Sequence, residues 1–415
     1  MNEQVETVII GAGHAGLTMS YCLSQLGLEH VILERGRVAE RWRSERWDSF
    51  CFQFPNWTIE LPGYKYECDN PDGFVRGREI VRFINDYAKF IKAPIRCGVA
   101  VNSLRPLDSG RYLVQTPTTA IETANVVIAT GPYQRPSIPP VSAELPDDVF
   151  QVHSSKYRNP NQLPPGAALV VGAGSSGCQI AEDLNQSGRQ VYLSVGRHFR
   201  VPRRYRGRDY GYWRLVTGGW DRTVDSLPLE AKNWPTPLLT GFNGGHDVDL
   251  RRMAADGIFL LGHLEALRDG RLIHAPDLEE NLAKGDEWFT TFKKSVDEYV
   301  TKNAMDVPQE NHSDEGMAEP GTLSPRTFEL KLTAAGIKSI IWASGFRYDF
   351  EWVKLPVFDE TGTPVHRRGV TDCAGIYFLG LKWLYKMKSA FLSIAGPAED
   401  AAYLAEVIKT RRNQE

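Results

Sequence analysis

The stretch Val8-Ile9-Ile10-Gly11-Ala12-Gly13-His14-Ala15-Gly16-Leu17 decides how the rest of the chain is read. An apolar run from Val5 to Ile10, broken by Glu6 and Thr7, leads into Gly-x-Gly-x-x-Gly, and a helical pattern follows from Leu17 to Leu26. Each part has a physical task. The strand delivers the turn, Gly11 permits it, and Gly13 lets the backbone approach a pyrophosphate. His14 and Ala15 lie inside the turn as candidate cofactor contacts, His14 as a spacer or an acid–base group, and Gly16 lets the helix pack closely so that its free N–H groups face the phosphates. A second apolar strand, His30 to Leu33, ends in Glu34, eighteen residues after Gly16, where a carboxylate binds a ribose hydroxyl pair. Strand, glycine triplet, helix, strand and acid in this order predict a dinucleotide site. The triplet alone is also compatible with a tight turn that holds no ligand.

At 415 residues the chain is long enough for two cores, and 42% hydrophobic with 24% charged residues is an ordinary soluble globular composition. A net charge of −3 argues against general affinity for nucleic acid or an anionic membrane, both of which call for a basic surface. Six scattered cysteines form no Cys-x-x-Cys. Reduced thiols are therefore expected, with no dithiol redox centre and no metal site. The glycine motif begins at residue 11, too early to leave room for a signal peptide, and no apolar run approaches the ~18 residues that span a bilayer. The expected location is cytoplasmic.

After Glu34 the chain mixes arginine and tryptophan: Arg35, Trp42, Arg43, Arg46 and Trp47 precede Phe52-Gln53-Phe54-Pro55. Guanidinium groups pair with phosphates and indoles stack on rings, so Arg35, Trp42, Arg43 and Trp47 are candidate cofactor contacts, although tryptophans also simply cover loops. Glu79–Ile91 has helical spacing. Val99–Leu104 (with Val101 placed at the cofactor), Tyr112–Thr116 and Ala120–Thr123 read as a short antiparallel meander. The core strand Asn125–Gly131 then ends in Ala129-Thr130-Gly131, at the carboxyl edge of a sheet where α/β ligands sit, and Tyr133 either faces that ligand or rims the linker. A proline-rich passage from Pro132 to Pro165 marks a domain crossing.

About 160 residues after the first motif it recurs as Gly172-Ala173-Gly174-Ser175-Ser176-Gly177, again between an apolar strand and a helix. No acid follows the next strand, Gln190–Val195; six arginines stand instead within residues 197 to 208. A nucleic-acid patch or a solvated loop would also read this way, but directly after such a strand the better reading is a 2′-phosphate pocket, hence NADPH over NADH. Arg197 is the first candidate, with Arg203 and Arg204. Beyond Tyr210 the sequence is least readable. It holds a strand pair around Ile258–Leu264 and Arg271–Ile273, an amphipathic helix near Glu287–Val300, and a polar stretch, Asn311–Pro320, expected to be mobile. Ile340–Phe346, containing Ala343-Ser344-Gly345, repeats the logic of Ala129-Thr130-Gly131 and is expected to carry the chain back to the first domain. A strand at Gly375–Gly380 and a helix through Glu399–Val407 then complete the first sheet. The expected fold is α/β, with two Rossmann-like dinucleotide-binding domains: an FAD-binding domain at 1–160 and 335–415, interrupted by an NADPH-binding domain at 161–334. Acid at one site, arginines at the other and no dithiol describe a flavoprotein that takes hydride from NADPH. The acceptor is left open between dioxygen with a co-substrate and a carrier such as a quinone.

Over nearly its whole length the chain resembles the class B flavoprotein monooxygenases, specifically the flavin-containing monooxygenase group that includes the plant YUCCA enzymes. The residues that carry the resemblance are both glycine motifs, Arg46-Trp47-Asp48-Ser49, Ala129-Thr130-Gly131, His153-x-x-x-Tyr157, Ala343-Ser344-Gly345-Phe346 and Gly380-Leu381. Two departures stand out. Phe150 lies three residues before His153 where the family fingerprint has six, and Gln53 stands where relatives often carry an asparagine at the flavin edge. The resemblance implies an FAD- and NADPH-dependent monooxygenase in which a flavin 4a-(hydro)peroxide passes one oxygen atom to a small organic substrate, by N- or S-oxygenation or attack on a carbonyl. It places Gln53 and His153 at the chemistry, with His153 equally readable as a hinge residue that couples the domains or as a base, and extends the cofactor contacts to Ser344, Gly345, Gly380 and Leu381. The implied partners are a small-molecule substrate and dioxygen, with a homodimer left open. The alternatives kept are an NADPH oxidase or quinone reductase of the same fold and a slowly turning redox-sensing protein. Lys386 and Lys388 either meet an anionic substrate or are ordinary solvated lysines.

Overall fold

Strand Glu3–Ile10 ends in four consecutive buried residues, Thr7 to Ile10. Such an uninterrupted run belongs to a strand covered on both faces, as in a parallel sheet flanked by helices. The computed structural model, which describes residues 3–310, 328–391 and 394–414, shows that arrangement. Ile95–Cys97, His30–Glu34, Glu3–Ile10 and Ala120–Ile128 lie side by side and parallel. The nine residues of Ala120–Ile128 fork the sheet. Their first half pairs antiparallel with Tyr112–Gln115, itself paired with Ser103–Pro106, while Val126–Ile128 pairs parallel with Ile376–Phe378. The meander strand and the core strand expected separately are thus one strand. Helix Ala398–Arg412 packs on helix His14–Gln25 and closes that face, as expected of the C-terminus.

A second sheet is parallel throughout, in the order Phe150–His153, Ile337–Trp342, Ala167–Val171, Val191–Ser194, Phe259–Leu261. Here the structure corrects the expected return at residue 335. Ile337–Trp342 lies inside the second sheet, with Ile340 and Trp342 buried on one face and Ile341 on the other. Its carboxyl end supplies the backbone that the second glycine turn packs against, as Ala129-Thr130-Gly131 does for the first. The two crossings sit together instead at Arg135–Pro136 and Phe346–Arg347, which pair antiparallel, with the Ser137 N–H donating to the Gly345 carbonyl at 2.9 Å. They come earlier than the expected 160 and later than the expected 335.

The stretch that was hardest to read divides. Phe259–Leu261 extends the parallel sheet, whereas Leu264–Arg268 makes a hairpin with Arg271–His274. The amphipathic helix runs from Leu278 to Lys302, longer than its sequence pattern showed. Tyr205, Tyr210, Trp213, Trp220, Phe292 and Val296 are buried in the core of the first sheet, so this segment reaches back over it. Asn311–Pro320 lies outside the described residues. Among the described residues no helix is long and apolar enough to cross a membrane, and no cluster of three or more potential metal ligands occurs.

Candidate functional site

The two glycine turns are built alike, atom for atom. Gly11 has φ +112° and a Cβ there would stand 2.7 Å from the Ala129 carbonyl; Gly172 has φ +107° and its Cβ would stand 2.6 Å from the Ala343 carbonyl. A Cβ on Gly16 or Gly177 would lie 1.9 or 1.8 Å from the carbonyl of Gly11 or Gly172. These four glycines are required by backbone packing. Gly13 and Gly174 differ: a Cβ on either would meet no protein atom within 4 Å. The helices that follow, His14–Gln25 and Ser175–Gln186, have no side-chain cap and no acid in the first turn. Their orphan N–H groups are left for an anion.

At the carboxyl edge of the first sheet a cavity of about 350 Å³ gathers Gly11, Gly13, His14, Ala15, Glu34, Arg35, Trp42, Val101, Ala129, Thr130, Gly131, Tyr133 and Gly380. Glu34 is fixed there: one carboxylate oxygen accepts the Ala12 N–H at 2.8 Å and the other the Gly36 N–H at 2.7 Å. Burial holds the His14 imidazole down to about 4, so it is neutral at pH 7. The sequence reading missed Gln134, Asp349, Trp352, Lys382 and Ser389 on the same wall. Gln134 ties it together, donating to Thr130 Oγ1 (2.8 Å) and accepting the Asp349 N–H (2.6 Å). Its only sequence signal is adjacency to Ala129-Thr130-Gly131, and the others come from the distant C-terminal part.

Several expected contacts lie elsewhere. Trp47 is buried edge-on to Phe50, ring centres 5.2 Å apart, in the core of the second unit, and Leu381 is buried in the core of the first. Arg43 lines a separate, larger cleft. Gln53 does not line the cavity: its amide donates to the Leu239 carbonyl (3.3 Å) and its own carbonyl accepts Arg203 Nη1 (2.7 Å). His153 also lies away from the cavity, 4% exposed. Its Nδ1 accepts the Ser155 N–H (3.2 Å), which leaves the proton on Nε2 to donate to the Gly345 carbonyl (2.9 Å). Burial pushes its pKa down. Both ring nitrogens are therefore engaged, Nδ1 locally by Ser155 and Nε2 by the Gly345 carbonyl at the crossing. Ser344 and Gly345 belong to the same crossing, the Ser344 hydroxyl donating to the Ser137 carbonyl at 2.5 Å. Tyr157 anchors helix Ser175–Gln186 through Asp183 at 2.6 Å.

At the second turn Ser176 and Gly174 are exposed, while the buried Ser175 hydroxyl bridges the Pro237 carbonyl (3.0 Å) and the Leu239 N–H (3.3 Å). The arginines separate sharply. Arg197, at the edge of the sheet, is exposed and makes no hydrogen bond or ion pair among the described residues. Arg203 is 1% exposed and grips Asp209 with two bonds of 2.9 and 2.7 Å. Arg204 donates to the Gly245 and Gly244 carbonyls at 2.9 and 3.0 Å. The expected phosphate role of Arg203 is thus corrected, because Asp209 and the Gln53 carbonyl take its guanidinium, whereas Arg204 is exposed and spends one bond from each terminal nitrogen on loop carbonyls. Lys386 and Lys388 are likewise paired with Asp221 and Glu399.

Two sheets, one mixed with a parallel core and one parallel throughout, each carrying an uncapped glycine turn, define an oxidoreductase fold with two dinucleotide sites. A family model described as pyridine nucleotide-disulphide oxidoreductase matches residues 8–212. The CzcO-like oxidoreductase of Geobacillus kaustophilus is 33% identical over 407 residues, 97% of this chain and 98% of its own length. The chain belongs to this CzcO-like oxidoreductase family. The indole-3-pyruvate monooxygenase YUCCA8 of Oryza sativa subsp. indica is 28% identical over 199 residues, 45% of this chain and 47% of its own. A solved flavin-containing monooxygenase from Stenotrophomonas maltophilia shares the fold over 99% of both chains, with TM-score 0.66 and 16% identity.

Proposed function

We propose that the protein is an FAD- and NADPH-dependent monooxygenase of a small organic substrate, with FAD in the first cavity and NADPH at the edge of the second sheet. The observation that carries the assignment of the two dinucleotides is their unequal equipment: matching turns, a fixed carboxylate (Glu34) at one and, at the other, an exposed guanidinium (Arg197) with no partner among the described residues. A ribose diol asks for the carboxylate and a 2′-phosphate for the guanidinium. The unit boundaries that fit this reading are 1–137 with 346–415 for the flavin and 138–345 for the nicotinamide.

Bound in the first cavity, flavin supplies the acceptance of hydride and the reductive activation of dioxygen. The chain supplies position and shielding. The open space at Gly13 and the uncapped first turn of His14–Gln25 take the pyrophosphate, and Glu34 takes the ribose. Neutral His14 adds no charged proton donor to the groove, and Trp42 and Tyr133 wall it. A site of this kind protects reactive species by excluding water and stray proton donors. The described residues lining the cavity include no cysteine, which speaks against dithiol chemistry there. The monooxygenase assignment itself draws on the likeness to monooxygenases. A second reading, NADPH oxidase or quinone reductase, is favoured by one observation: the Gln53 amide is held by the Leu239 carbonyl and does not enter the groove.

The test is stopped-flow spectroscopy of the purified protein, reduced anaerobically with NADPH and mixed with oxygenated buffer, with peroxide and product assayed. A transient near-ultraviolet species and oxygenated product with little peroxide support the monooxygenase. Stoichiometric peroxide with every substrate supports the oxidase, and a protein that releases no flavin on denaturation overturns the cofactor assignment.

A further inference from the structure

Beside the first cavity lies the larger cleft, about 760 Å³, between residues 42–50 and the face of helix Gly77–Phe90. Six cationic side chains and two carboxylates line it, on a chain whose net charge is −3. The cations are of two kinds. Arg78, Arg82 and Lys89 have partners on their own helix, Glu79 and Asp86, at 3.1 to 3.8 Å. Arg43, Arg46 and Arg76 have no carboxylate in ion-pair contact among the described residues. The Asp48 carboxylate is engaged by the Asn159 amide at 2.7 Å.

Arg46 is the most telling. It is part-buried, donates to the Glu45 carbonyl (2.8 Å), and lies 5.1 Å from the Trp42 ring centre and 5.5 Å from that of Phe50. Burial pushes this guanidinium below the usual arginine range; the charge of neighbouring Glu45 acts against that, but its carboxylate is bonded to Arg41 at 3.0 Å and makes no ion pair with Arg46. An anion restores the balance, and the planar fork suits a carboxylate or sulfonate. The walls are aromatic: Trp47 and Phe50 meet edge-on, and Trp42 lies 6.2 Å from Phe50. A flat apolar body adds to such a set at low entropic cost.

We propose that this cleft binds an aromatic organic anion, its acidic group held by Arg43, Arg46 and Arg76 and its ring set against Trp42. Trp42 and Arg46 line both this cleft and the first cavity, so they form the partition between the two. The occupant is thereby placed beside the flavin groove. Its role as the substrate rests on the flavin reading above; its binding does not. The phosphates of the second dinucleotide are a poor fit, because no described lining residue comes from the second sheet or its glycine turn.

The test is isothermal titration calorimetry on the purified protein at low ionic strength, with flavin content measured on the same sample. The probes are phenylacetate and benzenesulfonate, with phenylacetamide as the neutral control and 2′,5′-ADP as a nucleotide phosphate. Both anions are expected to bind and the amide to bind at least tenfold more weakly. R43Q and R76Q, both at exposed positions, should each weaken anion binding roughly tenfold with unchanged thermal melting, and leave 2′,5′-ADP affinity intact. The proposal is overturned if the wild-type protein binds neither anion, if the amide binds equally well, if the variants bind as the wild type does, or if 2′,5′-ADP is the ligand they lose. A sample without flavin sinks the cofactor assignment and leaves the calorimetric result standing.

Discussion

Arg197 and Arg203 stand six positions apart in one arginine-rich run, and the fold gives them opposite work. Arg197 projects into solvent at the edge of the second sheet, whereas Arg203 is enclosed with Asp209, its guanidinium 5.0 Å from the Phe74 ring centre. The sequence ranks Arg197 first only by its place directly after the strand; what encloses Arg203 is contributed by residues 74, 209 and 247, brought together by folding. Replacing Arg197 by alanine should raise the KM for NADPH roughly tenfold or more, as expected for loss of a charge-assisted phosphate contact. NADH should be nearly unaffected, as steady-state kinetics with both nucleotides will show; equal losses for the two would remove the 2′-phosphate role. Arg203→Met should instead lower stability by about 3–5 kcal/mol in urea unfolding, since it leaves Asp209 buried and uncompensated. The nucleotide preference should stay as it was.

At the scale of elements, the glycine turns were legible because their requirement is local: a strand, a tight turn and a helix packed at backbone distance admit no Cβ at Gly11 or Gly16. The structure separates this packing role from a ligand role. Gly16→Ala should destabilise the fold itself, because its Cβ would fall 1.9 Å from the Gly11 carbonyl. Gly13→Ala should fold with an unchanged melting temperature in the flavin-free state and fail to retain flavin, because its methyl group enters space that only a ligand fills. If G13A keeps a full complement of flavin, the pyrophosphate does not lie there. What the sequence did not reveal is the strap from Pro237 to Leu239 that ties Gln53, outside the first cavity, to the second glycine turn and its helix. The Leu239 carbonyl accepts the amides of Gln53 and Gln179 (2.7 Å from the latter), and its N–H meets Ser175. Gln179→Leu should cost about 1 kcal/mol in stability and alter the shift in flavin absorbance that NADP+ produces; an unaltered shift would show that the strap does not couple the two sites.

For the molecule as a whole, the histidines set the response to acid. Burial lowers His14 and His274 to about 4 and pushes His30, His153, His198 and His366 in the same direction. His246 is raised by its bond to Glu182 and opposes them. A neutral buried imidazole binds fewer protons than the unfolded one, so its stabilising effect is present above the ordinary histidine value, about 6.5, and is lost as pH falls toward the folded value near 4. The urea midpoint should therefore be clearly lower at pH 5 than at pH 7.5; an equal or higher midpoint would contradict these burials. By itself the sequence determined the α/β class, the two dinucleotide turns and the acid that follows the first, because short-range sterics and periodicity specify them. Only the tertiary structure decided that Ile337–Trp342 belongs to the second sheet, that Arg203 is enclosed while Arg197 has no partner among the described residues, and that His153 bonds at the crossing. The cationic cleft beside Trp42 belongs there too. Each of these depends on which distant residues become neighbours, and a buried apolar strand or a run of arginines carries no local mark of the partner it will meet.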